Sequence, residues 1–298
     1  ENNDYINYLP DFFDYSDYSI FATSIPENTL FPYALNIWPN FLAEYYSSPD
    51  VIREIWGAYT ADGSGYEQDQ KLYEASKEVV NGLGDDLGAL FQEFTLGNLD
   101  AKNQYSEGET FPEVNFISGL ADGLYHANEE LTAPASYGAN YLKFNNTGAS
   151  NFQFHLVRPA GVRLALALVP LDRGVPDLGR AQKLILDSDE VLDGSFTLTG
   201  LQSSEDVVVV LSPLESAVAE NAGDFFDVGY QYLYAAAFGT NLTISTTGTD
   251  SLETDTVKDG EDDLNFQDVR PTDSLRLQVT TYDEDSVGFS WNRLAGTG

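Results

Sequence analysis

Apolar residues in the first third of the chain recur at the three- and four-residue intervals of amphipathic helices. Ser48, Pro49 and Asp50 are typical of a helix start, with a capping serine, an early proline and an acid in the first turn. Gly84 is a suitable helix stop, and Asp85 predicts the cap of a further helix. The apolar positions are Leu35, Trp38, Leu42 and Tyr45, interrupted by Pro39, then Val51, Ile52, Ile55 and Trp56, then Leu72, Ala75, Val79 and Leu83, and then Leu87, Leu90, Phe91 and Phe94.

From about residue 138 the apolar period changes to two, which predicts half-buried strands. Residues 207–211 are instead continuously apolar, as expected for a strand covered on both faces. The segment 98–135 is scattered with Gly, Asn, Pro and Glu and predicts loops. The alternating positions are Phe152, Phe154 and Leu156, then Val162, Leu164, Leu166 and Leu168, then Phe196 and Leu198, then Tyr230, Tyr232 and Tyr234, and last the run 242–245.

Together these patterns predict an α+β fold, in which an N-terminal helical region is followed by an antiparallel β-sandwich and a C-terminal two-strand tail. In the tail, residues 275–281 and 286–291 alternate on either side of an acidic turn and are expected to pair. The predicted regions are 1–135 (helical), 136–249 (sandwich), 250–272 (acidic linker) and 273–298 (tail).

Composition narrows the set of partners. With 14 basic and 48 acidic residues the formal net charge is −34, which repels nucleic acid and anionic lipid, so neither is an expected partner. The chain has no cysteine, which excludes disulfides and thiolate chemistry. No apolar run approaches the ~18 residues of a membrane helix, so no membrane span is expected.

The chain also lacks methionine, so we expect Glu1 to be a processed end or a cut within a longer sequence. Two triplets, Asn145-Asn146-Thr147 and Asn241-Leu242-Thr243, match the acceptor pattern of N-glycosylation. Such triplets also occur by chance, so glycosylation at either position stays open.

Catalytic patterns are scarce. The two histidines are His126, in a predicted loop, and His155, on the polar side of a predicted strand; for both we expect a structural role. No H-E-x-x-H occurs, so the chain itself offers no such zinc site. A Ser–His–acid triad would need one of these histidines, and the sequence selects no serine for it. A glycosidase needs a pair of catalytic carboxylates, but with 48 acidic residues the sequence does not single out any two of them.

The best candidate site is the acidic segment TDTVKDGEDD, in which carboxylates crowd around a glycine. Calcium takes six to eight oxygen ligands and accepts irregular loops, whereas the spacing departs from an EF-hand. The alternative is a solvated acidic linker without a metal. The predicted calcium ligands are Asp255, Asp259, Glu261, Asp262 and Asp263.

Three segments, NDYINYLPDFF (3–13), FPYALNIWPNFLAEYYSSPDVIREIWGAY (31–59) and ALFQEFTLGNLDAKNQYSEGETFPEV (89–114), resemble putative secreted bacterial metalloproteases of the myxobacterial type. The resemblance implies that the zinc-binding helix lies upstream of these segments and that a β-sandwich follows them. No residue here matches the catalytic motif, so no catalytic role is carried over. The tail, LQVTTYDEDSVGFSWNR (277–293), is similar to the first two strands of a fibronectin type III domain.

Two functional hypotheses follow. In the first, the chain is the non-catalytic downstream portion of a secreted, extracellular or cell-surface metalloprotease-like protein, with the catalytic segment upstream. In the second, it is a structural subunit of an extracellular filament or surface layer, which self-associates when the tail adds strands to a neighbour's sheet. A carbohydrate-binding sandwich with exposed Tyr and Trp is a third alternative.

Overall fold

The computed structural model describes residues 4–22, 31–64, 66–128, 133–157, 161–188, 193–216, 226, 229–239, 275–282 and 286–293. The chain divides into two compact units, Glu1–Asn241 and Leu242–Gly298. The first unit contains helices and then two β-sheets, and the second contains a strand pair. The predicted α+β class, with helices preceding largely antiparallel sheets, is confirmed.

The described α-helices lie within residues 9–104, about the first third of the chain, as predicted. None of them is both long enough and apolar enough to cross a membrane. Short 3-10 helices lie at Asp4–Tyr8, Gly108–Thr110 and Leu178–Arg180. The α-helices are α1 (Leu9–Asp14), α2 (Phe31–Ala34), α3 (Ile37–Tyr45), α4 (Asp50–Ala61), α5 (Gln68–Gly82), α6 (Leu87–Leu99) and α7 (Ala101–Gln104).

The stop predicted at Gly84 is confirmed. Gly84 has a φ of 94°, and its N–H donates to the carbonyl of Asn81 while the N–H of Asp85 donates to that of Val80. This pair of bonds is a Schellman motif, which satisfies carbonyls at the end of α5. The predicted cap was wrong by one residue, because Asp86 rather than Asp85 accepts from the N–H of Ala89 (2.8 Å).

Two other helix starts also differ slightly from the prediction. Pro49 occupies the cap position of α4, while the Ser48 hydroxyl accepts from the N–H of Asp50 at 3.2 Å. Pro39 does not kink a continuous helix. It lies in the first turn of α3, where backbone N–H groups have no partner within the helix, so the missing N–H of proline costs little. The helical structure is interrupted earlier, between α2 and α3.

The described strands of the first unit form two sheets. One sheet has the order β1-β3-β9-β5-β6, with β7 also pairing with β5, and the other has the order β2-β10-β4-β8. All pairs are antiparallel except β1 with β3. The strands are β1 (Ile117–Ser118), β2 (Asp122–Ala127), β3 (Asn140–Phe144), β4 (Asn151–Val157), β5 (Val162–Asp172), β6 (Val175–Pro176), β7 (Gln182–Leu186), β8 (Asp193–Thr199), β9 (Glu205–Ser216) and β10 (Leu233–Phe238).

The prediction of loops over 98–135 was partly wrong, because α7, β1 and β2 lie within it. The predicted final strand at 242–245 lies outside the described residues. In the second unit, β11 (Leu275–Tyr282) and β12 (Ser286–Arg293) form the predicted antiparallel pair. Their register places Leu277 opposite Trp291 and Val279 opposite Phe289.

The two sheets of the first unit enclose a core built from alternate strand residues. Phe152, Phe154 and Leu156 of β4 are at most 1% exposed and face this core. The rings of Phe154 and Tyr234 stack with their centroids 5.7 Å apart. These contacts are those of a sandwich, as the period of two predicts.

A second core joins the helices to the other face of the β9-β5 sheet. Ala165, Ala167 and Val169 of β5, together with Val208 and Val210 of β9, belong to this helical core. Because both faces of these strands are covered, residues 164–169 of β5 and 207–211 of β9 are continuously apolar. The described part of the first unit is therefore layered as helices, sheet and sheet.

Helix α6 lies closest to that sheet. It is buried on nearly all sides, as expected of a helix enclosed by other elements. A Cβ added to Gly88 would lie 2.6 Å from Cδ1 of Leu214, so a larger residue here would force the Leu214 side chain to shift. On its other side Phe94 contacts the rings of Phe12, Trp38 and Phe41, with centroids 5.2 to 5.8 Å apart.

Candidate functional site

The predicted calcium ligands Asp255, Asp259, Glu261, Asp262 and Asp263 lie outside the described residues. Calcium binding by this segment therefore stays a prediction. Within the part of the chain that is described, no group of three or more His, Asp or Glu side chains is arranged to hold a metal ion.

His126 belongs to β2, so its predicted position in a loop was wrong. Its Nε2 lies 2.9 Å from Oδ1 of Asp122, four residues earlier on the same strand. The ring centroids of His126 and Tyr234 on the neighbouring strand are 5.6 Å apart. The contacts of His126 are those of a side chain packed at the edge of the sandwich.

His155 forms a cross-strand pair with a serine. It lies directly opposite Ser195 in the β4–β8 register, and its Nδ1 is 2.7 Å from the serine Oγ. The face predicted for His155 is correct, since it alternates with the core residues Phe154 and Leu156. However, His155 is only 4% exposed, so this face is less polar than predicted.

The two histidines cannot serve one triad. In the β2-β10-β4 register His126 lies opposite Tyr234, which lies opposite Leu156. Opposite residues share a face and consecutive residues do not. His126 and His155 therefore lie on opposite faces of the sheet, so the acid beside His126 is not available to the Ser195–His155 pair.

Within the described residues, a cluster of ion pairs lies at the junction of the helices with the sheet. Arg163 of β5 donates two hydrogen bonds to the carboxylate of Asp86, at 2.9 and 3.1 Å. It also lies 3.3 Å from Asp187 and 3.5 Å from Glu215. We call the following residues the Arg163 cluster: Tyr73, Lys77, Asp86, Arg163, Asp187 and Glu215.

Glu215 of β9 extends the cluster to helix α5. The Tyr73 hydroxyl donates to its carboxylate at 2.7 Å, and the ammonium of Lys77 lies 2.8 Å from the same oxygen. Lys77 also donates to the Tyr73 hydroxyl at 3.0 Å. The cluster thus connects α5 and the start of α6 to β5 and β9, two strands that lie far from these helices in sequence.

The environment of the cluster favours the charged forms of its ions. Burial alone would raise the pKa of Glu215, but hydrogen bonds from Lys77 and Tyr73 outweigh burial and hold that pKa below the usual 4.5. Asp86 is similar: burial opposes ionisation, but hydrogen bonds from Arg163 and the N–H of Ala89 keep its pKa below 3.8. Burial raises the pKa of Tyr73, which stays a neutral donor. These hydrogen bonds and ion pairs therefore fix the positions of Asp86 and Glu215 in their charged forms.

An open cleft of about 550 Å³ lies beside the β5–β6 turn. The turn residues Arg173 and Gly174 both have positive φ, 52° and 87°, as in a tight hairpin turn. Arg180 forms ion pairs with Asp177, which lines the cleft, and with the buried Glu205. The lining residues are Asp100, Gln104, Asp172, Arg173, Val175, Pro176, Asp177 and Leu178.

Sequence reasoning did not find the Arg163 cluster or the Ser195–His155 pair. The members of the cluster are up to 142 residues apart, as Tyr73 and Glu215 are, and no local pattern connects them. The sequence indicated one member of the cluster only indirectly, through the helix cap at the start of α6, and we predicted that cap at Asp85 instead of Asp86. Asp85 instead accepts a hydrogen bond from the Tyr46 hydroxyl at 2.8 Å.

Comparisons with known proteins do not assign the chain to a family. No protein-family model matches it, and no curated protein matches it. Among solved structures, CorA, a surface-associated copper-binding protein of Methylomicrobium album BG8, is similar with a TM-score of 0.27 and 6% identity, over 42% of this chain and 98% of that one. A family GH115 4-O-methyl-α-glucuronidase with specificity for decorated arabinogalactans has a TM-score of 0.22 and 10% identity, over 57% of this chain and 25% of that one. Similarity at this level supports no inference about fold or function.

The lowered pKa of Glu215 predicts a pH dependence of stability. A carboxylate whose folded pKa is depressed stabilises the fold fully above its unfolded pKa, here about 4.5, and loses that contribution as the pH falls through the folded value. Glu215→Gln should therefore lower the free energy of unfolding by about 1–3 kcal/mol at pH 7, as expected for losing hydrogen bonds to a charged group. The difference from the wild type should shrink below pH ~4.5, as measured by urea unfolding at a series of pH values.

Glu113→Gln is the matched control, because Glu113 is exposed and the substitution changes the net charge equally. It should change the free energy of unfolding by less than ~0.5 kcal/mol at pH 7. A Glu215→Gln difference that stays constant from pH 7 to the acid limit would contradict the linkage.

Proposed function

We propose that this chain is a non-catalytic structural portion of a secreted, extracellular or cell-surface protein related to metalloproteases. The observation that carries the proposal is the packing of the segments that resemble that family. Their aromatic residues, among them Phe12, Trp38, Phe91 and Phe94, form one core with the β9-β5 sheet. In this chain these segments therefore provide a rigid support rather than a reactive centre.

The acidic surface fits this location. A net charge of −34 favours solubility and the binding of cations, and it disfavours nucleic acid and anionic membranes as partners. The proposal includes calcium bound by the acidic segment around Gly260, with no zinc held by this chain. In the proposed protein the zinc-binding helix belongs to a segment upstream of Glu1.

The test is to isolate the protein from its native source with an antibody against residues 1–241 and to map its peptides by mass spectrometry. The proposal predicts that it is recovered from the extracellular or surface fraction. It also predicts peptides upstream of Glu1 that include an H-E-x-x-H motif, since the resembling family has its zinc helix there.

The same measurement can contradict the proposal. Recovery only from the cytoplasm, or an upstream sequence that contains no zinc-binding motif, would overturn the relation to metalloproteases. Peptides of the helical region, such as those containing Trp38, serve as the positive control, because they show that the chain itself is present in the preparation.

A second function, self-assembly by β-strand addition, is favoured by the β11–β12 pair. In the described residues this pair is a two-stranded sheet, and an isolated two-stranded sheet has only marginal stability in water. In this proposal the pair adds its strands to the sheet of a neighbouring copy, and the edge of that sheet supplies backbone hydrogen bonds. Head-to-tail addition of this kind leads to a filament when it does not close into a ring.

The register of the strand pair provides a sharp test by electron microscopy. The full chain should form polymers, and deleting residues 272–298 should abolish them. Val279 and Phe289 lie opposite each other, and so do Gln278 and Ser290 one position away. Aspartates at Val279 and Phe289 should also abolish polymers, because alternate side chains of an added strand enter pockets of the sheet that it joins, and a charge there is costly.

The matched control places aspartates at Gln278 and Ser290, which adds the same charge on the opposite face. This variant should still polymerise. A chelator should reduce assembly if calcium neutralises the acidic segment. Polymers that persist without residues 272–298, or a full chain that stays monomeric, would exclude assembly through this tail.

A further inference from the structure

The turn between β3 and β4 places an asparagine and a threonine at the surface of the sandwich. Asn145 follows directly after the last residue of β3, and both Asn145 and Thr147 are exposed. Together with Asn146 they form the triplet N-x-T, the acceptor pattern of N-linked glycans. The structure therefore meets the first requirement of an acceptor, a surface loop.

The two neighbouring asparagines have different environments. The side chain of Asn146 accepts from the N–H groups of Gly148 and Ala149, at 3.0 and 2.8 Å, and donates to the carbonyls of Ala149 and Gln202, at 2.9 and 3.3 Å. Its backbone N–H donates to Asp206 at 3.0 Å. Asn146 thus ties the β3–β4 turn to the β8–β9 turn and fixes the shape of the loop.

The Asn145 side chain, in contrast, is not engaged in holding the loop. It forms no hydrogen bond with any residue that the structure describes. Nearby, Gly148 has a φ of 108°, and a Cβ built there has no atom within 4 Å, which indicates open space above the turn. Ser150 is also small and exposed. A sugar attached to Asn145 would displace none of the contacts made by Asn146.

We propose that Asn145 is an N-glycosylation site of this protein. The donor is a lipid-linked oligosaccharide phosphate or diphosphate. The Asn145 Nδ2 forms a bond to the anomeric carbon, the bond from that carbon to the lipid phosphate oxygen breaks, and the amide proton passes to the departing phosphate. The site rests on the proposed extracellular function, because such transfer occurs on chains that leave the cytoplasm.

The test is a mass measurement on the full protein from its native source. Trypsin cleaves after Lys143 and Arg163 but not at the Arg158–Pro159 bond, so it releases peptide 144–163, which contains the whole acceptor triplet. This peptide should carry the mass of a glycan, and electron-transfer fragmentation should locate it on Asn145 rather than Asn146. Asn145→Gln and Thr147→Ala should lose the added mass, whereas Thr147→Ser should keep it.

The melting temperature separates loss of the glycan site from loss of the fold. Asn145→Gln should melt like the wild type with its glycan removed, since the exposed Asn145 side chain makes no described hydrogen bond. A peptide 144–163 without added mass in the extracellular fraction overturns the glycosylation site alone. Added mass that survives in Asn145→Gln also overturns it, and recovery from the cytoplasm without added mass overturns this site together with the proposed function.

Discussion

Helix α6 packs against the small apolar residues that β5 and β9 turn toward it, and the other helices are arranged around that contact. Alanine and valine at Ala165, Ala167 and Val208 leave room for the helix, and Gly88 permits the approach to Leu214. Gln92 of the same helix reaches the sheet and donates to the carbonyls of Leu166 and Leu184, at 2.9 and 3.0 Å. Burial of this apolar surface is the dominant favourable contribution to folding.

Ion pairs mark the same junction. Lys183 of β7 meets Glu93 of α6 at 2.5 Å, Arg163 of β5 meets Asp86, and Lys77 of α5 meets Glu215 of β9. An exposed pair such as Lys183–Glu93 contributes only about 0–1 kcal/mol, so these contacts do not replace the core. In a chain with 14 basic and 48 acidic residues, however, they place cations where helices and strands would otherwise bring carboxylates together.

The sequence predicts the elements of the fold well because each has a local cause. The period of two at Phe152, Phe154 and Leu156 and the stop at Gly84 each depend on a few neighbouring residues. The continuous apolar run 207–211 also predicted a strand covered on both faces, which the helices and the second sheet provide. The strand β2 was missed, because its segment is short and lies among Gly, Asn and Pro residues that favour loops.

The site could not be predicted in the same way. Ser195 is selected as the partner of His155 by the β4–β8 register, and register depends on packing across the whole sheet. Arg163, Asp86 and Glu215 likewise meet only after the helices dock. The calcium ligands remain a prediction, because they lie in a segment outside the described residues.

Amide hydrogen exchange of Phe91→Ala tests most directly whether the helices and the β9-β5 sheet share one core. Phe91 is 1% exposed and contacts Trp38 and Tyr137, with ring centroids 6.3 and 5.3 Å apart. The account predicts that the free energy of opening falls by about 3–5 kcal/mol for amides of α6 and for amides of β5 and β9 alike. The exposed Trp56→Ala should change both by less than ~0.5 kcal/mol. A loss of protection confined to α6, with β5 and β9 unchanged, would contradict it.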